Sequence, residues 1–546
     1  MKKLLLILLW LPMIGLGQNI EDEFQLEDRP KDYEYLSAPD SNGVRRHLKM
    51  PSTTKAVLKL PYPIIFIHGL TSNSSTWNST TNWMDLHYNL NFGGRFDICL
   101  NRDGNNSTAN LNWWPVIGAD LSLFQFSNSA GDYYYINFDV GVNGSVFPAT
   151  DVKSNQSAIV KQGKAVSRVI KEVLQLTGRD KVILMGHSMG GLAAREYLQN
   201  PSIWQSDGLS HVAKLITTGT PHGGSDAPTF GLFADCQSEA YRDLRTSYNT
   251  GYPGVYLEGG LESDAIMDVN LCSDFYNFDV NCSGLVGATI TGLNNKAINY
   301  STIEHACIIG QCSSCSNGVE LPGDGVVNEY KANIKNYYPN MAVNLFYYNA
   351  SDNVQIHTDL PEQNYQNMQG LDEPNELHYA YNIDFNTLYT GMTTMQPVGG
   401  YPYDYDDYKF DLPVSGDVYV SISGIYNQAD LRARIYDGSS TASSYIQIGN
   451  DHSNNGSSNF SFTQNLSAGS YYLEIQSEPT LTSYRDTYKF YLNSSTSTTN
   501  LGEYTISTKK ILKVTDLLGR ESKGTKNELL FYIYDDGTVE KRIVVE

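Results

Sequence analysis

Positive charge is scarce in this sequence. Its 38 Lys and Arg residues face 59 Asp and Glu residues, so the formal net charge at pH 7 is −21 and the pI is about 4.9. An acidic surface repels the phosphates of nucleic acids and of anionic membranes. We therefore exclude nucleic acid and anionic membrane as standing partners. The charge suits a soluble, exported protein.

Long apolar runs are also missing beyond the N-terminus, so we predict no transmembrane anchor in the rest of the chain. The first residues, MKKLLLILLWLPMIGLGQ, combine two lysines, a short apolar run and small residues before Gln18. This pattern predicts a signal peptide over residues 1–17, cleaved near Gly17. The alternative is an N-terminal anchor.

Cysteine is rare and unevenly placed. Cys99 stands apart, and the other six fall within about eighty residues: Cys236, Cys272, Cys282, Cys307, Cys312 and Cys315. In an exported chain these six are disulfide candidates with open connectivity. Cys312 and Cys315 form a C-x-x-C, but neither a second such pair nor paired histidines complete a zinc site.

At 546 residues the chain is too long for one ordinary domain. Short β-branched or aromatic runs between residues 62 and 386 predict buried parallel strands at 63–67, 133–138, 182–185, 215–218 and 343–348. Apolar residues at helical spacing predict a helix over 156–176, with Gly178 able to cap its end. The segment therefore predicts an α/β fold with a mostly parallel sheet, helices on both faces and cap insertions.

The texture changes near Val398 to two-residue alternation, which predicts an all-β sandwich over residues 396–493. A Ser/Thr/Asn-rich linker over 493–500 follows, and residues 500–546 are predicted as a small β domain with a hairpin turn at Asp536-Gly537. The α/β domain is then assigned to 18–390, with insertions at 78–132 and 226–303.

The segment KVILMGHSMGGLAAREYL carries the strongest signal for chemistry. A predicted strand ends in Gly186-His187-Ser188-Met189-Gly190 and passes directly into a helical pattern. Glycines in this G-x-S-x-G arrangement remove side chains that would collide in a strained turn, and the serine is exposed at a helix N-terminus. Ser188 is therefore the predicted nucleophile.

A serine nucleophile needs a base, and its tetrahedral intermediate needs hydrogen-bond donors. In IIFIHGLTSNSSTW, the turn at His68-Gly69-Leu70 ends a predicted strand. We predict that the backbone amides of Leu70 and Met189 form the oxyanion hole. His68 is interpreted as a brace for this loop and not as the base.

In this fold the acid and the base follow the serine in the order Ser, Asp, His. Asp324, on a glycine-flanked turn in PGDGVVNEY, is the predicted acid, with a plain turn aspartate as the alternative. For the base, His357 in NVQIHTDLPEQ is favoured over His378 in NELHYAY, which is interpreted as a packed or surface histidine. The order also excludes His187 and His222, which are interpreted as local scaffold.

The set HGL, GHSMGG, TTGTPHGGS, DGVV and HTDLPEQ resembles the bacterial true-lipase branch of the α/β-hydrolases over roughly residues 61–363. The resemblance implies hydrolysis of lipid esters by a triad of Ser188, Asp324 and His357, with a lipid or other ester as substrate and no required cofactor. The run from His357 to Gln363 is similar to lipase loops that hold a structural calcium ion, which implies a calcium ligand at Asp359.

The two insertions follow no lipase pattern. Trp77, Trp83, Trp113 and Trp114 fall in or beside the first insertion, near the oxyanion loop. They are predicted either to form an apolar lid or acyl-binding wall, or to pack an extra subdomain.

Residues 405–491 resemble the pre-peptidase C-terminal β-sandwich of secreted bacterial enzymes. The Asp-rich start of this module is interpreted as a solvated turn, with calcium binding as the alternative. The tail from Lys509 resembles the C-terminal sorting domain of type IX secretion, which implies that machinery as a partner and a secreted or surface-attached bacterial protein.

Three functions remain open at this point. The favoured function is a secreted lipase or carboxylesterase. The alternatives are a phospholipase or acyltransferase with the same triad, and a catalytically inactive surface binding protein, because fold alone does not separate these.

Overall fold

The structure is a computed structural model of the 546-residue chain. It describes residues 35–36, 47–48, 57–100, 128–140, 154–205, 207–225, 238–245, 254–262, 279–282, 287–312, 321–350, 356–393, 404–425, 430–441, 443–454, 459–478, 486–495, 511–515, 529–534 and 539–543. The predicted signal peptide lies outside these residues.

Seven parallel strands form the main sheet, in the order β11-β10-β7-β6-β3-β5-β4. Up to residue 349 the strands are β1 Tyr35–Leu36, β2 His47–Leu48, β3 Ile64–Ile67, β4 Phe92–Asp97, β5 Tyr133–Asn137, β6 Val182–His187, β7 Val212–Thr218, β8 Gly260–Leu261, β9 Thr289–Ile290, β10 Glu304–Gln311 and β11 Asn344–Asn349. The pairs β1–β2 and β8–β9 are short antiparallel ribbons.

All five predicted strands of this sheet are present, as β3, β5, β6, β7 and β11. The parallel α/β prediction is therefore confirmed. Two strands were missed. β4 reads FGGRFD, whose glycines weaken a strand signal. β10 reads EHACIIGQ, and its polar ends hide a strand that is buried at seven of eight positions.

Helices cover the sheet. They are α1 Asn78–Tyr88, α2 Ile159–Thr177, α3 Met189–Gln199, α4 Pro201–Trp204, α5 Glu239–Leu244, α6 Val255–Glu258, α7 Glu329–Ala332, α8 Ile356–Asp359 and α9 Asn364–Leu371. Short 3₁₀ turns occur at Ser74–Trp77, Ser154–Gln156, Leu293–Asn295, Ile334–Asn336, Leu360–Glu362 and Leu377–Tyr379. Helix α2 is the predicted crossover helix, and Gly178 ends it with φ +68° and an N–H bond to the Leu174 carbonyl.

The main sheet separates two hydrophobic cores because successive side chains of a strand point to opposite faces. In β3, Ile64 and Phe66 pack into the core that continues into the sandwich, whereas Ile65 and Ile67 pack into the core beneath α2 and α3. All four are almost fully buried. This double burial explains why the strand is a continuous apolar run.

The first predicted insertion belongs in part to the α/β fold. Helix α1 packs beside the sheet and β4 forms its edge, although both fall within residues 78–132. Trp77 is fully buried against Phe66, and Trp83 packs on Tyr88. These two tryptophans therefore pack the fold, while Trp113 and Trp114 lie outside the described residues.

The described parts of the second insertion, 226–303, also pack on the α/β fold. Glu239 of α5 forms an ion pair with Lys161 of α2 at 2.8 Å, and both side chains are buried. Asp243 accepts a hydrogen bond from the N–H of Ile159 at the start of α2. The Glu239 carboxylate thus neutralises the buried Lys161 side chain. The Asp243 carboxylate accepts from a helix amide that has no acceptor within the helix.

The predicted β-sandwich is confirmed as two sheets, in the orders β12-β14-β19-β16-β17 and β13-β20-β15-β18. Its strands are β12 Tyr381–Asn382, β13 Leu388–Thr393, β14 Asp404–Leu412, β15 Gly416–Ser423, β16 Asp430–Asp437, β17 Gln447–Ser453, β18 Phe460–Leu466, β19 Gly469–Glu478 and β20 Asp486–Ser494. β12 and β13 precede the predicted start at residue 396. The sandwich therefore begins within residues that the sequence assigned to the preceding domain.

The α/β fold and the sandwich lie in one compact unit, residues 1–494. Arg179, just after α2, forms an ion pair with Asp384 at 2.6 Å and a hydrogen bond to the Tyr389 hydroxyl of β13. The N–H of Asp407 in β14 donates to the carbonyl of Pro374. Hydrogen bonds and a shared core therefore join the two parts.

The solvated-turn interpretation of the Asp-rich start is wrong. Asp404, Asp406 and Asp407 belong to strand β14 and are at most 1% exposed. Burial raises the pKa of Asp406 and of Asp407 well above the ordinary aspartate value. The sequence suggested a turn because aspartate is rare inside strands.

The disulfide prediction is wrong for two of its six cysteines. Cys282 and Cys307 are buried free thiols, as is Cys99. Cys312 is not among the free thiols. Cys236, Cys272 and Cys315 lie outside the described residues, so a disulfide framework stays a prediction for these and for Cys312.

Residues 495–546 form a second unit. Strands β21 Ile511–Thr515, β22 Leu529–Tyr534 and β23 Val539–Ile543 form an antiparallel sheet in sequence order. The β22–β23 pairing is the predicted hairpin, whose turn at Asp536-Gly537 lies outside the described residues. Among the helices described, none is both long and apolar enough to cross a membrane.

Candidate active site

Ser188 lies in a sharp turn between strand β6 and helix α3. Its backbone has φ +54° and ψ −128°, and its N–H donates to the Thr218 carbonyl at 2.8 Å. A Cβ atom on Gly186 would come within 2.5 Å of the Gly191 nitrogen, and one on Gly190 within 2.5 Å of the Ile67 carbonyl oxygen. The two glycines of the motif are therefore required by close backbone contacts.

The loop after β3 lies directly against this serine. A Cβ on Gly69 would be 2.7 Å from the Ser188 Cβ and 3.2 Å from its Oγ. Leu70 is the next residue of this turn. Met189 is the first residue of α3, so the N–H of Met189 has no acceptor within the helix. Met189 thus follows the serine directly in sequence, and Leu70 follows Gly69, which lies against the serine.

His68 holds the end of this loop. Its Nδ1–H donates to the Gly69 carbonyl and its Nε2 accepts from the N–H of Phe138, each at 2.9 Å. Burial lowers its pKa to about 4, so the ring is neutral at neutral pH. These bonds match the predicted role of a brace.

Asp324 lies in the turn beyond β10 and is 1% exposed. Its Oδ1 accepts hydrogen bonds from the N–H groups of Val326 and Val327, at 3.0 and 2.7 Å. These two donors fix the carboxylate plane and leave Oδ2 for another partner.

That partner is His357, at the start of α8 beyond β11. Its Nδ1 lies 2.7 Å from Asp324 Oδ2, and its Nε2 lies 2.9 Å from Ser188 Oγ. Because a carboxylate oxygen accepts, Nδ1 carries the hydrogen and Nε2 can accept from the serine hydroxyl. The structure therefore brings Ser188, His357 and Asp324 together, whereas His378 is exposed and pairs with Glu376.

His187 supports the position of His357. Its Nε2 donates to the His357 carbonyl at 2.8 Å, and the two rings lie 4.9 Å apart. Burial, and then the nearby charge of His357, lower the pKa of His187 well below the ordinary value. His187 is therefore a neutral donor, which agrees with its interpretation as scaffold.

His222 is also scaffold. It is fully buried, contacts the guanidinium of Arg195 through Nδ1 at 3.1 Å and contacts Thr217 through Nε2 at 3.2 Å. Burial and the Arg195 charge lower its pKa well below the ordinary value. A neutral ring that accepts from Arg195 satisfies both contacts.

Gly219 is a site residue that the sequence analysis missed. It has φ +56°, and a Cβ there would be 3.0 Å from Asp324 Oδ2 and 3.2 Å from His357 Nδ1. The backbone of the turn after β7 therefore lies against the acid–base hydrogen bond. The signal was present, because TTGTP places a glycine directly after a predicted strand.

We expect Gly219→Ala to lower kcat about 10²-fold with a smaller change in KM, because displacing catalytic groups by about 1 Å has this effect. The rate on a p-nitrophenyl ester would measure it. Gly208→Ala is the matched control, since Gly208 has φ +70° but no atom within 4 Å of an added Cβ. Equal losses in both variants would show that backbone strain alone is responsible.

The described residues offer Asp359 no calcium-binding set. Asp359 is half-buried at the end of α8, and its carbonyl accepts from the Gln363 side chain at 3.1 Å. Within the described part of the chain, the only group of three clustered metal-ligand side chains is Asp372, Glu373 and Asp406. A calcium ion at Asp359 thus stays a prediction.

Comparison with known proteins agrees with this architecture. Residues 61–252 match the family model of the PGAP1-like alpha/beta domain, and residues 404–477 match the bacterial pre-peptidase C-terminal domain. A triacylglycerol lipase of Pseudarthrobacter phenanthrenivorans is 32% identical over 170 residues, which is 31% of this chain and 36% of that protein. A triacylglycerol lipase of Burkholderia plantarii is 32% identical over the same length, 31% of this chain and 32% of its own.

Solved structures that align with parts of this chain were also found. Lipase BlEst2 of Bacillus licheniformis in its propeptide form aligns with 93% of this chain and 99% of its own, at 11% identity and a TM-score of 0.28. The pre-peptidase C-terminal domain of a Bacillus anthracis collagenase aligns with 22% of this chain and 99% of its own, at 18% identity and a TM-score of 0.15.

The chain spans about a third of the length of the two curated relatives. The resemblance of the tail to a sorting domain stays a prediction. The chain thus combines a parallel α/β fold, part of which matches the PGAP1-like alpha/beta domain, with a β-sandwich, part of which matches the bacterial pre-peptidase C-terminal domain.

Proposed function

We propose that this protein is an exported serine ester hydrolase, a lipase or carboxylesterase that cleaves neutral lipid esters. One observation carries the proposal: the hydrogen-bonded series from Ser188 Oγ through His357 to Asp324, at 2.9 and 2.7 Å. Its order, Ser then Asp then His, is that of α/β-hydrolases.

In the acylation step, Ser188 Oγ attacks the ester carbonyl carbon while His357 Nε2 takes the hydroxyl proton. The carbonyl oxygen becomes an oxyanion, which accepts hydrogen bonds from the amides of Leu70 and Met189. His357 then gives its proton to the leaving alkoxide, and the alcohol departs. The product of this step is an acyl-Ser188 ester.

Deacylation repeats these roles with water. His357 takes a proton from the water molecule, whose oxygen attacks the acyl carbon, and the second tetrahedral intermediate returns the proton to Ser188 Oγ. Asp324 holds the Nδ1–H tautomer of His357 and stabilises its imidazolium form. The acid leaves, and free Ser188 is restored.

We propose neutral glycerides with medium or long acyl chains as the substrate class. The two curated relatives are named triacylglycerol lipases, and the net charge of −21 disfavours anionic phospholipid interfaces. The sequence left open whether the tryptophans form an acyl-binding wall. Trp77 and Trp83 do not support that role, because both pack within the fold.

A series of p-nitrophenyl esters from two to sixteen carbons tests the substrate class, beside emulsified triglyceride and phospholipid. Each added methylene contributes up to about 0.8 kcal/mol, so kcat/KM is expected to rise up to about fourfold per carbon until the pocket ends. A maximum at two carbons without attack on the emulsion would mean a small-ester esterase. Preferred attack on the phospholipid would favour the phospholipase alternative.

We propose further that the tail, residues 500–546, is a secretion address read by type IX machinery, and that residues 1–17 are a signal peptide. Removing residues 495–546 cuts directly after strand β20. The purified truncated protein is expected to keep its esterase activity, while in a host with type IX secretion it stays in the periplasm. Normal release of the truncated protein would refute the address.

A further inference from the structure

A cavity lies beside strand β4, at one edge of the main sheet. Its volume of about 420 Å³ falls within the range of about 300–1,000 Å³ that is usual for small-molecule sites. Its described lining includes Ser75 and Asn78 from the segment that starts α1, Phe92 and Arg95 from β4, and Ser129 shortly before β5. No described lining residue belongs to the Ser-His-Asp triad. We call this second site the edge cavity.

Phe92 places an aromatic ring in the edge cavity. The ring packs against the rings of Tyr133 and Tyr135 in β5, with centroids 5.3 and 5.2 Å away. Phe92 nevertheless remains 48% exposed. A ring that is supported by two others and half exposed offers a rigid apolar surface on which a ligand can stack.

A bulge in β4 sets the position of this ring. Phe92 lies opposite Tyr133 and Gly94 lies opposite Tyr134, so Gly93 is an extra residue in the strand. A Cβ on Gly93 would come within 2.2 Å of the Tyr134 ring. Bulges at sheet edges re-aim the neighbouring side chains. The sequence Phe-Gly-Gly is thus required for a Phe92 ring that lies over β5.

The charges in the edge cavity cancel. Among the described lining residues only Arg95 and Asp97 are charged. Arg95 donates from Nε to Asp97 Oδ1 at 2.6 Å and from Nη2 to Oδ2 at 3.0 Å, and Asp97 is 1% exposed. A bidentate pair of this kind holds both groups in a fixed geometry. The balanced pair favours a neutral ligand over a phosphate or a metal ion.

Neutral hydrogen-bonding groups line the rest of the edge cavity. The side chains of Ser75, Asn78 and Ser129 are exposed there, and none of the three forms a side-chain hydrogen bond with another described residue. A serine hydroxyl and an asparagine amide can each donate and accept. These groups are therefore open to a ligand that is rich in hydroxyls.

We propose that the edge cavity binds a neutral sugar ring of a carbohydrate chain, stacked on Phe92 and hydrogen-bonded to the neutral side chains around it. A sugar ring presents C–H groups on its faces and hydroxyls at its rim, which matches an aromatic ring bordered by donors and acceptors. An acyl chain fits less well, because only Phe92 and Tyr135 among the described lining residues bring large apolar groups. Acidic sugars are repelled by the net charge of −21.

This function goes beyond ester hydrolysis and does not depend on it. A sugar site on the α/β fold holds the protein on carbohydrate without the use of Ser188. Binding measured without turnover therefore tests the edge cavity separately from the triad.

The test is isothermal titration of the full-length protein with five neutral oligosaccharides: maltotriose, cellotriose, mannotriose, xylotriose and triacetylchitotriose. We expect at least one to bind, and Phe92→Ala to weaken that binding about tenfold through loss of the stacked ring. Phe92→Leu should weaken it similarly, because leucine restores apolar bulk without a ring. Asn78→Ala should weaken it several-fold. Circular dichroism and the Tm of each variant check folding.

Tyr445→Ala is the matched control. Tyr445 is also 48% exposed, but it belongs to the sandwich and packs on Tyr436. Its removal should leave sugar binding unchanged.

Three outcomes would overturn the proposal. The first is that none of the five oligosaccharides binds to the wild-type protein. The second is that Phe92→Ala and Asn78→Ala both bind the sugar as the wild type does. The third is that Tyr445→Ala loses the binding while Phe92→Ala keeps it, which would place the sugar on the sandwich.

Discussion

Replacing Ser188 with alanine is expected to lower kcat on a p-nitrophenyl ester about a millionfold, as loss of a triad nucleophile does. Folding should be unaffected, because alanine keeps the Cβ and the N–H bond to the Thr218 carbonyl remains. The lost contact is the hydroxyl bond to His357 Nε2. Without the hydroxyl, no acyl-enzyme forms.

Thermal unfolding and circular dichroism of Ser188→Ala provide the control for folding. A residual rate of about 10³–10⁴ over water is compatible with binding and oxyanion stabilisation alone. Substantial activity in a well-folded variant would mean that another residue attacks the ester and that the serine turn has a structural role.

The second large effect is expected at the base. His357→Ala should lower kcat to a similar extent, because Ser188 then has no proton acceptor and the leaving alcohol no donor. Asp324→Asn should cost about 10⁴-fold, since it favours the wrong His357 tautomer while keeping the geometry. Rates on the same ester measure both losses.

His378→Ala is the matched control for the base. His378 is exposed and pairs with Glu376 at 3.2 Å, so its removal should change the rate little. If His378→Ala lost far more activity than His357→Ala, His378 would be the base. The hydrogen bond between His357 and Ser188 would then be absent from the active enzyme.

Local sequence patterns predicted the α/β fold well because its elements are strongly periodic. Helix α2 shows apolar spacing and a Gly178 cap, and β6 runs without interruption into the glycine-flanked turn at Ser188. Strand β10 was hidden because its buried positions include Glu304, which is neutralised by Lys214 on the neighbouring strand β7. A sequence read locally does not reveal such a partner ninety residues away.

Sequence patterns also predicted part of the site. The residue types and chain order favoured Ser188, Asp324 and His357, and the structure brings these side chains together. Gly219 was missed because its importance depends on a contact with the Asp324–His357 pair, far away in sequence. The tryptophans were ambiguous because proximity in sequence to the oxyanion loop does not distinguish an acyl wall from the buried packing seen at Trp77.

The Asp-rich start of the sandwich shows the limit of composition most clearly. Successive aspartates usually mark solvated turns. Here Asp406 is buried in strand β14, with carboxylate oxygens of Asp372 and Glu373, more than thirty residues earlier, within 4.8 Å of its own. Only the three-dimensional arrangement shows that these aspartates are buried.

Labelling with a fluorophosphonate probe tests the central claim most directly. The probe reacts with an activated serine, so incubation of the purified protein followed by peptide mass spectrometry should place one phosphonyl group on Ser188. Labelling should be lost in Ser188→Ala and strongly slowed in His357→Ala. A folded wild-type protein that resists the probe, or carries the label on a different residue, would contradict the assignment of Ser188 as the nucleophile of an ester hydrolase.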